Sequence, residues 1–361
     1  MSKYDQYEGF QVDSSANYTT FTKRKFDTKP FGDHDVELKI ECCGVCSSDI
    51  HTINGGWGRN NFPLAVGHEI VGKAIRIGSK VTSVEVGDRV GVGAQSYSCL
   101  DCRQCNNDNE TYCSKQLDTY GSIWPDTGLV TQGGYSSHIL THEHWVFPIP
   151  ESIPSEMVAP MLCAGITLYS PLVRNGAGPG KKVAIVGLGG LGHFGVLFGK
   201  ALGAETWVIS RSHAKEADAF KMGADGFLAT QDKDWNVPHK MTFDLVISTA
   251  NNFGSGFDLE GYLSLLDVHG KFVSTGFPEE STLQITPQML GPNGCSISAS
   301  HLGSRKEMLS MLQLAADKGI KSWVETVPIS EENLSNTIQR LEKNDVHYRF
   351  TMVGYDKAFG A

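Results

Sequence analysis

Four cysteines fall within fifteen residues, in the pattern Cys99-x-x-Cys102-x-x-Cys105-x7-Cys113. The residues around them, such as Asp101, Asn106, Asn107, Asp108 and Asn109, are too polar to form a core. Four thiolates close a tetrahedral shell around one Zn²⁺ and leave no position open, which makes a structural rather than a catalytic site. Ligand type alone also admits an iron–sulfur cluster. In a reducing compartment so dense a group reads as metal ligands rather than disulfides.

A looser set has the residue types for catalysis. Cys46 lies in Gly44-Val45-Cys46-Ser47-Ser48-Asp49-Ile50-His51, at the end of a strand-like run. His68 follows the apolar stretch Phe62–Val66, and Cys163 lies in Met161-Leu162-Cys163-Ala164-Gly165. Spacing alone does not join these three. Read singly, Cys163 is a buried core thiol and His68 a satisfied core histidine.

A third group could hold a dinucleotide. Gly187-Leu188-Gly189-Gly190-Leu191-Gly192 fits G-x-G-x-x-G. The apolar run Lys182–Val186 precedes it. Leu191–Leu202 follows, with apolar residues at helical spacing. In that context the first glycine makes the tight turn and the second lets backbone approach a pyrophosphate. The third lets helix and strand pack closely, and the helix N-terminus faces the phosphates. The next strand, Thr206–Ile209, runs into Ser210-Arg211-Ser212, with Lys215 shortly after. An NAD site usually places Asp or Glu there for the ribose 2′-hydroxyl. Hydroxyls and cations in its place favour the 2′-phosphate of NADP.

These groups need elements to position them. A chain of 361 residues, 40% hydrophobic and 20% charged, suits two globular domains. Up to about residue 150 it carries short β-like runs broken by glycine, including Val36–Ile40, Ile70–Ile77 and Arg89–Val92. Pro154–Leu172 reads as one helix. From Lys181, strands and helices alternate. Strands are expected at Lys182–Val186, Thr206–Ile209, Leu245–Ser248, Lys271–Ser274 and Ser296–Ala299, and a helix at Ala214–Met222. That alternation implies a doubly wound parallel sheet. A helix is expected over Lys306–Ala316, then a mixed segment, Trp323–Tyr355. The net charge of −9 argues against nucleic-acid or anionic-membrane partners, and no apolar run is long enough to span a bilayer. Met1–Phe10 is polar, without the apolar stretch of a signal peptide, so a cytoplasmic location is expected.

Taken in order, nine stretches carry a resemblance: Gly44–His51, Pro63–Gly72, Val86–Val92, the four-cysteine lobe, Gln132–Tyr135, Ala159–Thr167, Lys181–His193, Ser210–Ser212 and Val346–Val353. They span essentially the whole chain. Together they resemble the zinc-containing medium-chain alcohol dehydrogenases, most closely the cinnamyl alcohol dehydrogenase branch and its NADP-dependent, broad-specificity members.

The resemblance implies an α/β fold. A GroES-like β-rich catalytic domain would occupy 1–158 and 303–361, with the metal lobe at 95–118. A doubly wound parallel Rossmann domain would occupy 159–302. Two zinc ions per chain are implied, one in the lobe and one held by Cys46, His68 and Cys163, with Glu69 able to join. That zinc would act as a Lewis acid on an alcohol or aldehyde oxygen while hydride passes to or from NADP(H). Ser48 and His51 would relay the proton, and Asp49 would orient His68.

Cofactor contacts are implied for Thr167, Gly187, Gly189, Gly190, Leu191, Gly192, Ser210, Arg211, Ser212, Lys215, Thr249, Thr275 and Arg349. Trp57, Phe62 and Gln95, with Leu117, would line an apolar pocket for aromatic and medium-length aliphatic substrates. A homodimer paired through Ser296–Ala299 is expected. Two other readings stand beside this one. A zinc polyol dehydrogenase is disfavoured by Trp57, Phe62 and the Ser210-Arg211 pair. A non-catalytic protein that binds NADPH and zinc is disfavoured because all seven cysteine and histidine positions are filled.

Overall fold

Val183, Ala184, Ile185 and Val186 carry no side chain that needs water, and the strand they belong to, Lys182–Val186, lies inside a sheet with these four residues buried. A computed structural model of the chain describes residues 5–58, 61–254, 256–279 and 282–360; the start of the polar Met1–Phe10 stretch lies outside them. The described chain divides into two compact units. One runs to Cys163 and resumes at Ser304, and the other is Ala164–Gly303. Cys163 is thus the last residue before the chain crosses between units, five positions after the expected boundary.

The second unit is built on a six-stranded parallel sheet. Its order is Gly226–Ala229, Glu205–Ser210, Lys182–Val186, Phe243–Ser248, Leu266–Ser274 and Ser296–Ala299. Parallel strands covered on both faces read as continuous apolar runs, which is why the central ones were legible. The edge strand Gly226–Ala229 was not expected; it is only four residues long and opens on glycine. Ser296–Ala299 is the opposite edge.

The first unit holds a seven-stranded sheet around the eleven-residue strand Asp35–Val45. Glu69–Ile77 and His138–His142 pair with that strand antiparallel, and Arg89–Val92 and Val146–Pro148 extend the sheet beyond Glu69–Ile77. The mixed C-terminal segment supplies Val324–Pro328 and Arg349–Val353. The latter pairs antiparallel with Asp35–Val45, Phe350 opposite Val45 and Met352 opposite Cys43. The chain's last strands therefore complete its first sheet.

The single helix expected over Pro154–Leu172 is broken into three pieces. They are an α-helical turn at Ser155–Val158, a 3₁₀ turn at Ala159–Leu162 and an α-helix at Ala164–Arg174. Pro160 has no N–H to donate to the preceding turn, so α-helical bonding cannot run through it. Cys163 leaves helical geometry altogether, with φ −126° and ψ −70°. The Ala214–Met222 helix likewise opens as a 3₁₀ turn, His213–Lys215, before its α-helical part at Glu216–Lys221. Among the described residues no single helix is long and apolar enough to cross a membrane.

Candidate active site

The helix Ser47–Ile53 starts at Cys46, which caps it. The Cys46 backbone N–H donates to Asp49 Oδ2 at 2.9 Å, and the Cys46 sulfur in turn accepts from the backbone of Asp49. One short turn therefore fixes a sulfur ligand, brings Ser48 Oγ to 3.6 Å from Cys46 Sγ, and sends Asp49 inward. Asp49 is fully buried. A carboxylate there is tolerable only if donors surround it. Gly67 N–H donates to its Oδ1 at 3.2 Å, and Tyr135 OH donates to its Oδ2 at 3.0 Å. His68 Nδ1 lies 3.0 Å from Oδ1 and also 3.0 Å from Tyr120 Oη.

With Nδ1–H directed at Asp49, the free face of His68 is Nε2, which sits 3.1 Å from Cys163 Sγ. The ligand atoms of Cys46, His68, Glu69 and Cys163 all lie within 4.8 Å of one another, and all four residues are buried. Hydrogen bonds and burial set the protonation of the cluster. A hydrogen bond from Cys163 keeps the Cys46 thiol well below its ordinary pKa against the effect of burial. That same bond, with burial, pushes Cys163 well above. Burial pulls His68 down, but the charge and hydrogen bond of Asp49 win, and the imidazole ends well above its ordinary value. Two thiolates and a neutral imidazole are what a metal needs, so loading the site releases protons.

Glu69 brings the test of fit. Its pKa is pushed up to about 8, chiefly by burial, with Arg349 opposing and Cys46 adding to the rise. Arg349 Nη2 donates to Glu69 Oε1, while buried Oε2 has no hydrogen-bond partner among the described residues. An orphaned carboxylate oxygen beside two sulfurs and an imidazole nitrogen is a donor set suited to Zn²⁺. Asp49→Asn should test the support beneath this set. An amide cannot accept from all of these donors at once, so zinc affinity should fall roughly tenfold to a hundredfold in competition with a chelator. Unchanged affinity would mean that His68 is oriented by something else.

In the lobe, Cys99 Sγ and Cys113 Sγ are 3.5 Å apart, Cys102 and Cys105 3.5 Å, and Cys99 and Cys105 4.0 Å. These distances are far beyond a disulfide bond of about 2.05 Å. A zinc tetrahedron with arms of about 2.3 Å has edges of about 3.8 Å, so the four sulfurs already have the spacing for it. Backbone N–H groups of Cys99 and Lys115 also donate to Cys113 Sγ, at 3.5 and 3.4 Å. Metal analysis should return about two zinc ions per chain. Cys102→Ala should return about one, with a lower melting temperature, because the lobe has little core of its own. One zinc in the wild type, or iron, would contradict the two-site assignment.

The cofactor candidates of the second unit gather at the C-terminal ends of its strands. Gly187 takes a left-handed φ of +89° at the turn. A Cβ on Gly192 would strike the Gly187 carbonyl oxygen, so the third glycine is required for packing. Thr249 donates to Val186 O and Gly187 O, at 2.9 and 3.1 Å, and Thr275 to Ser248 O at 3.0 Å; both brace the strand ends. Thr167 is buried in Ala164–Arg174. Ser210 ends its strand and Arg211 is exposed. Lys215 Nζ reaches back to Leu188 O at 2.8 Å, which sets a cation on the glycine turn. The nearby carboxylates Glu216 and Asp232 are both engaged by His213, at 2.9 and 3.0 Å.

Four of the expected cofactor and pocket residues have protein contacts in the structure. Arg349, assigned to the cofactor, is buried in the first unit and paired with Glu69; its strand delivers it there by pairing with Asp35–Val45. Gln95, assigned to the substrate pocket, is buried, and its Nε2 donates to Thr111 O and Gln116 Oε1, at 3.1 and 3.2 Å, so it ties the lobe together. Leu117 pairs with Tyr97 in a small two-stranded ribbon. Phe62 packs against the core of the first unit. Trp57 stacks on a candidate catalytic side chain, His51. Tyr120 and Tyr135, which meet His68 and Asp49, were not foreseen, for nothing in their local sequence signals a partner more than fifty positions away.

Residues 32–151 match the alcohol dehydrogenase GroES-like domain, and residues 190–317 match the zinc-binding dehydrogenase family. The chain is 50% identical to NADP-dependent alcohol dehydrogenase 6 of Saccharomyces cerevisiae, over 99% of each. It is 42% identical to a mannitol dehydrogenase of Petroselinum crispum, over 91% of this chain and 96% of the relative. A cinnamyl alcohol dehydrogenase from Sorghum bicolor superposes with a TM-score of 0.91 at 34% identity, covering 97% of this chain and 98% of that one.

Proposed function

This chain belongs to the zinc-binding medium-chain alcohol dehydrogenases, and from that premise we propose that it interconverts primary alcohols and aldehydes with NADP(H), accepting aromatic and medium-length aliphatic substrates. The observation that supports this best is the buried set Cys46, His68, Glu69 and Cys163, with Glu69 Oε2 unpartnered and Ser48 beside Cys46.

When bound, zinc supplies a Lewis acid at the substrate oxygen and NADP(H) supplies or takes the hydride. The rest is the work of side chains. Cys46, His68 and Cys163 hold the metal, and Asp49 keeps the His68 ring turned so that Nε2 faces inward. Arg349 holds Glu69 in place through its hydrogen bond to Oε1. The Ser48 hydroxyl exchanges a proton with the substrate oxygen, and His51, one turn along the same helix and half-buried, carries that proton toward solvent. Gly187–Gly192 receives the pyrophosphate, and Ser210, Arg211, Ser212 and Lys215 receive the 2′-phosphate.

The test is the loss of NADPH absorbance on mixing with cinnamaldehyde, repeated after a strong chelator. Consumption that the chelator stops is expected. No consumption with any aldehyde would overturn the reading. A polyol dehydrogenase is the second reading, supported by the 42% identity to mannitol dehydrogenase; faster oxidation of mannitol than of cinnamyl alcohol would favour it. We also infer a homodimer paired through the edge strand Ser296–Ala299, whose residues Ser296, Ser298 and Ala299 are exposed. Light scattering that finds a stable monomer at micromolar concentration would refute it.

A further inference from the structure

We propose that His213 is a positioning residue for cofactor choice: by holding the carboxylates of Glu216 and Asp232 it keeps both off Arg211 and the 2′-phosphate subsite. The inference rests on the reading above that Ser210, Arg211, Ser212 and Lys215 receive that phosphate.

The turn after the edge strand Gly226–Ala229 carries acid toward this subsite. Ser210 pairs with Ala229 where the two strands end. Just beyond, Thr230 N–H donates to Ser210 O at 2.9 Å and Gln231 N–H donates to Arg211 O at 3.1 Å. Asp232 N–H donates to Ala229 O at 3.0 Å and closes the turn. An aspartate therefore follows directly on a residue bonded to Arg211. Glu216, the first residue of the helix Glu216–Lys221, approaches along the chain from the other side. A carboxylate near the end of this strand is the group that suits a ribose hydroxyl and repels a phosphate. Arg211 is exposed, and a carboxylate released beside it would compete for its guanidinium.

His213 engages both acids at once. Its Nδ1 lies 2.9 Å from Glu216 Oε2 and its Nε2 3.0 Å from Asp232 Oδ2. The ring packs against Phe227, with centroids 5.9 Å apart. A neutral imidazole has one N–H, so only the imidazolium donates to both carboxylates. The bonds to Glu216 and Asp232 hold the pKa of His213 above its ordinary value. The strand of Phe227 brings no charge, and Lys215 on the same turn reaches Leu188 O, so Glu216 and Asp232 are the ionised groups that face the ring. The clamp is complete below the raised pKa and is lost as pH rises through it, when one carboxylate is let go. All three side chains are partly exposed, so salt screens the effect.

Equilibrium titration of the zinc-loaded protein with NADPH and with NADH, followed by nicotinamide fluorescence in the absence of substrate, tests this. At low salt His213→Ala should raise the Kd for NADPH roughly threefold to tenfold, the scale of one screened charge acting on a doubly charged phosphate, with the Kd for NADH little changed. Adding Glu216→Gln and Asp232→Asn should restore NADPH binding, because no carboxylate is left to release. Wild-type binding of NADPH should weaken as pH rises above neutral, where the 2′-phosphate is already charged, and His213→Ala should remove that step. The proposal is wrong if His213→Ala leaves the Kd for NADPH unchanged or weakens both cofactors alike. It is equally wrong if the triple variant stays as weak as His213→Ala, or if the pH step persists without His213. Those results would leave the phosphate assignment standing. A wild type that binds NADH more tightly, or tight NADPH binding that survives Ser210→Asp/Arg211→Ile, would overturn that assignment and the proposal with it.

Discussion

Cys46→Ala and Cys163→Ala are each expected to abolish turnover while leaving both units folded. Either change removes one of two sulfurs from a set that offers four donors within 4.8 Å of one another. The stabilisation that a metal gives to developing charge on the substrate oxygen is worth several kcal/mol, so kcat should fall on the order of a thousandfold or more. The fold should tolerate the loss. The bond from Cys46 to Asp49 that starts its helix is made by the backbone N–H, which alanine retains. At position 163 the missing atom is one sulfur in a short irregular link. Zinc should drop from about two ions per chain to about one, with circular dichroism unchanged. A Cys163→Ala enzyme that turns over near the wild-type rate would remove that thiol from the metal set.

The residues of this set were readable as types before they were readable as a set. Cysteine and histidine announce themselves, and the short intervals of Cys99–Cys113 place four ligands on one loop whatever the fold. The doubly wound sheet was readable for a similar reason: Lys182–Val186 and Phe243–Ser248 must be covered on both faces, and Gly187–Gly192 marks where the first of them ends. Contacts that depend on two distant segments meeting were not readable. The pairing of Arg349 with Glu69 exists because Arg349–Val353 lies beside Asp35–Val45, a strand pairing that no local pattern encodes. The contacts of Gln95 were hidden for a different reason. Its position in the chain suggested a pocket, and its Nε2 donates to Thr111 O and Gln116 Oε1, partners that no local pattern signals. The break at Cys163 was hidden inside an apolar run whose spacing alone is helical.

Cofactor choice should shift when the end of Glu205–Ser210 is rewritten. In Ser210→Asp/Arg211→Ile, a carboxylate would stand where the 2′-phosphate is proposed to sit, and a guanidinium would be gone. Loss of one charge-assisted contact to phosphate costs roughly 1.5–3 kcal/mol, or about tenfold to a hundredfold in affinity, and the new carboxylate adds repulsion. The KM for NADPH should rise by at least that factor, while use of NADH holds or improves because Asp can accept from a ribose hydroxyl. Lys215, braced against Leu188 O, remains in the double variant and should leave a residual preference that Lys215→Ala then removes. The comparison to make is kcat/KM for both cofactors in each variant. A wild type that prefers NADH, or a triple variant that still prefers NADPH, would place the phosphate elsewhere.

The ion pair between Glu69 and Arg349 joins positions 280 apart in sequence, and this has a consequence for how the protein is made. On the ribosome, Cys46, His68 and Glu69 emerge early, yet the buried carboxylate of Glu69 gains its counter-ion only when nearly the whole chain has been translated. The sheet around Asp35–Val45 also waits for Arg349–Val353 before it is complete. Residues 164–303 form an uninterrupted stretch with a sheet of their own, so the later-synthesised unit is the one that can finish folding first. A nascent chain stalled shortly before Arg349 would present a finished nucleotide-binding unit attached to an open sheet with an unpaired edge and an uncompensated acid. A truncation that begins at Arg349 would freeze it in that form.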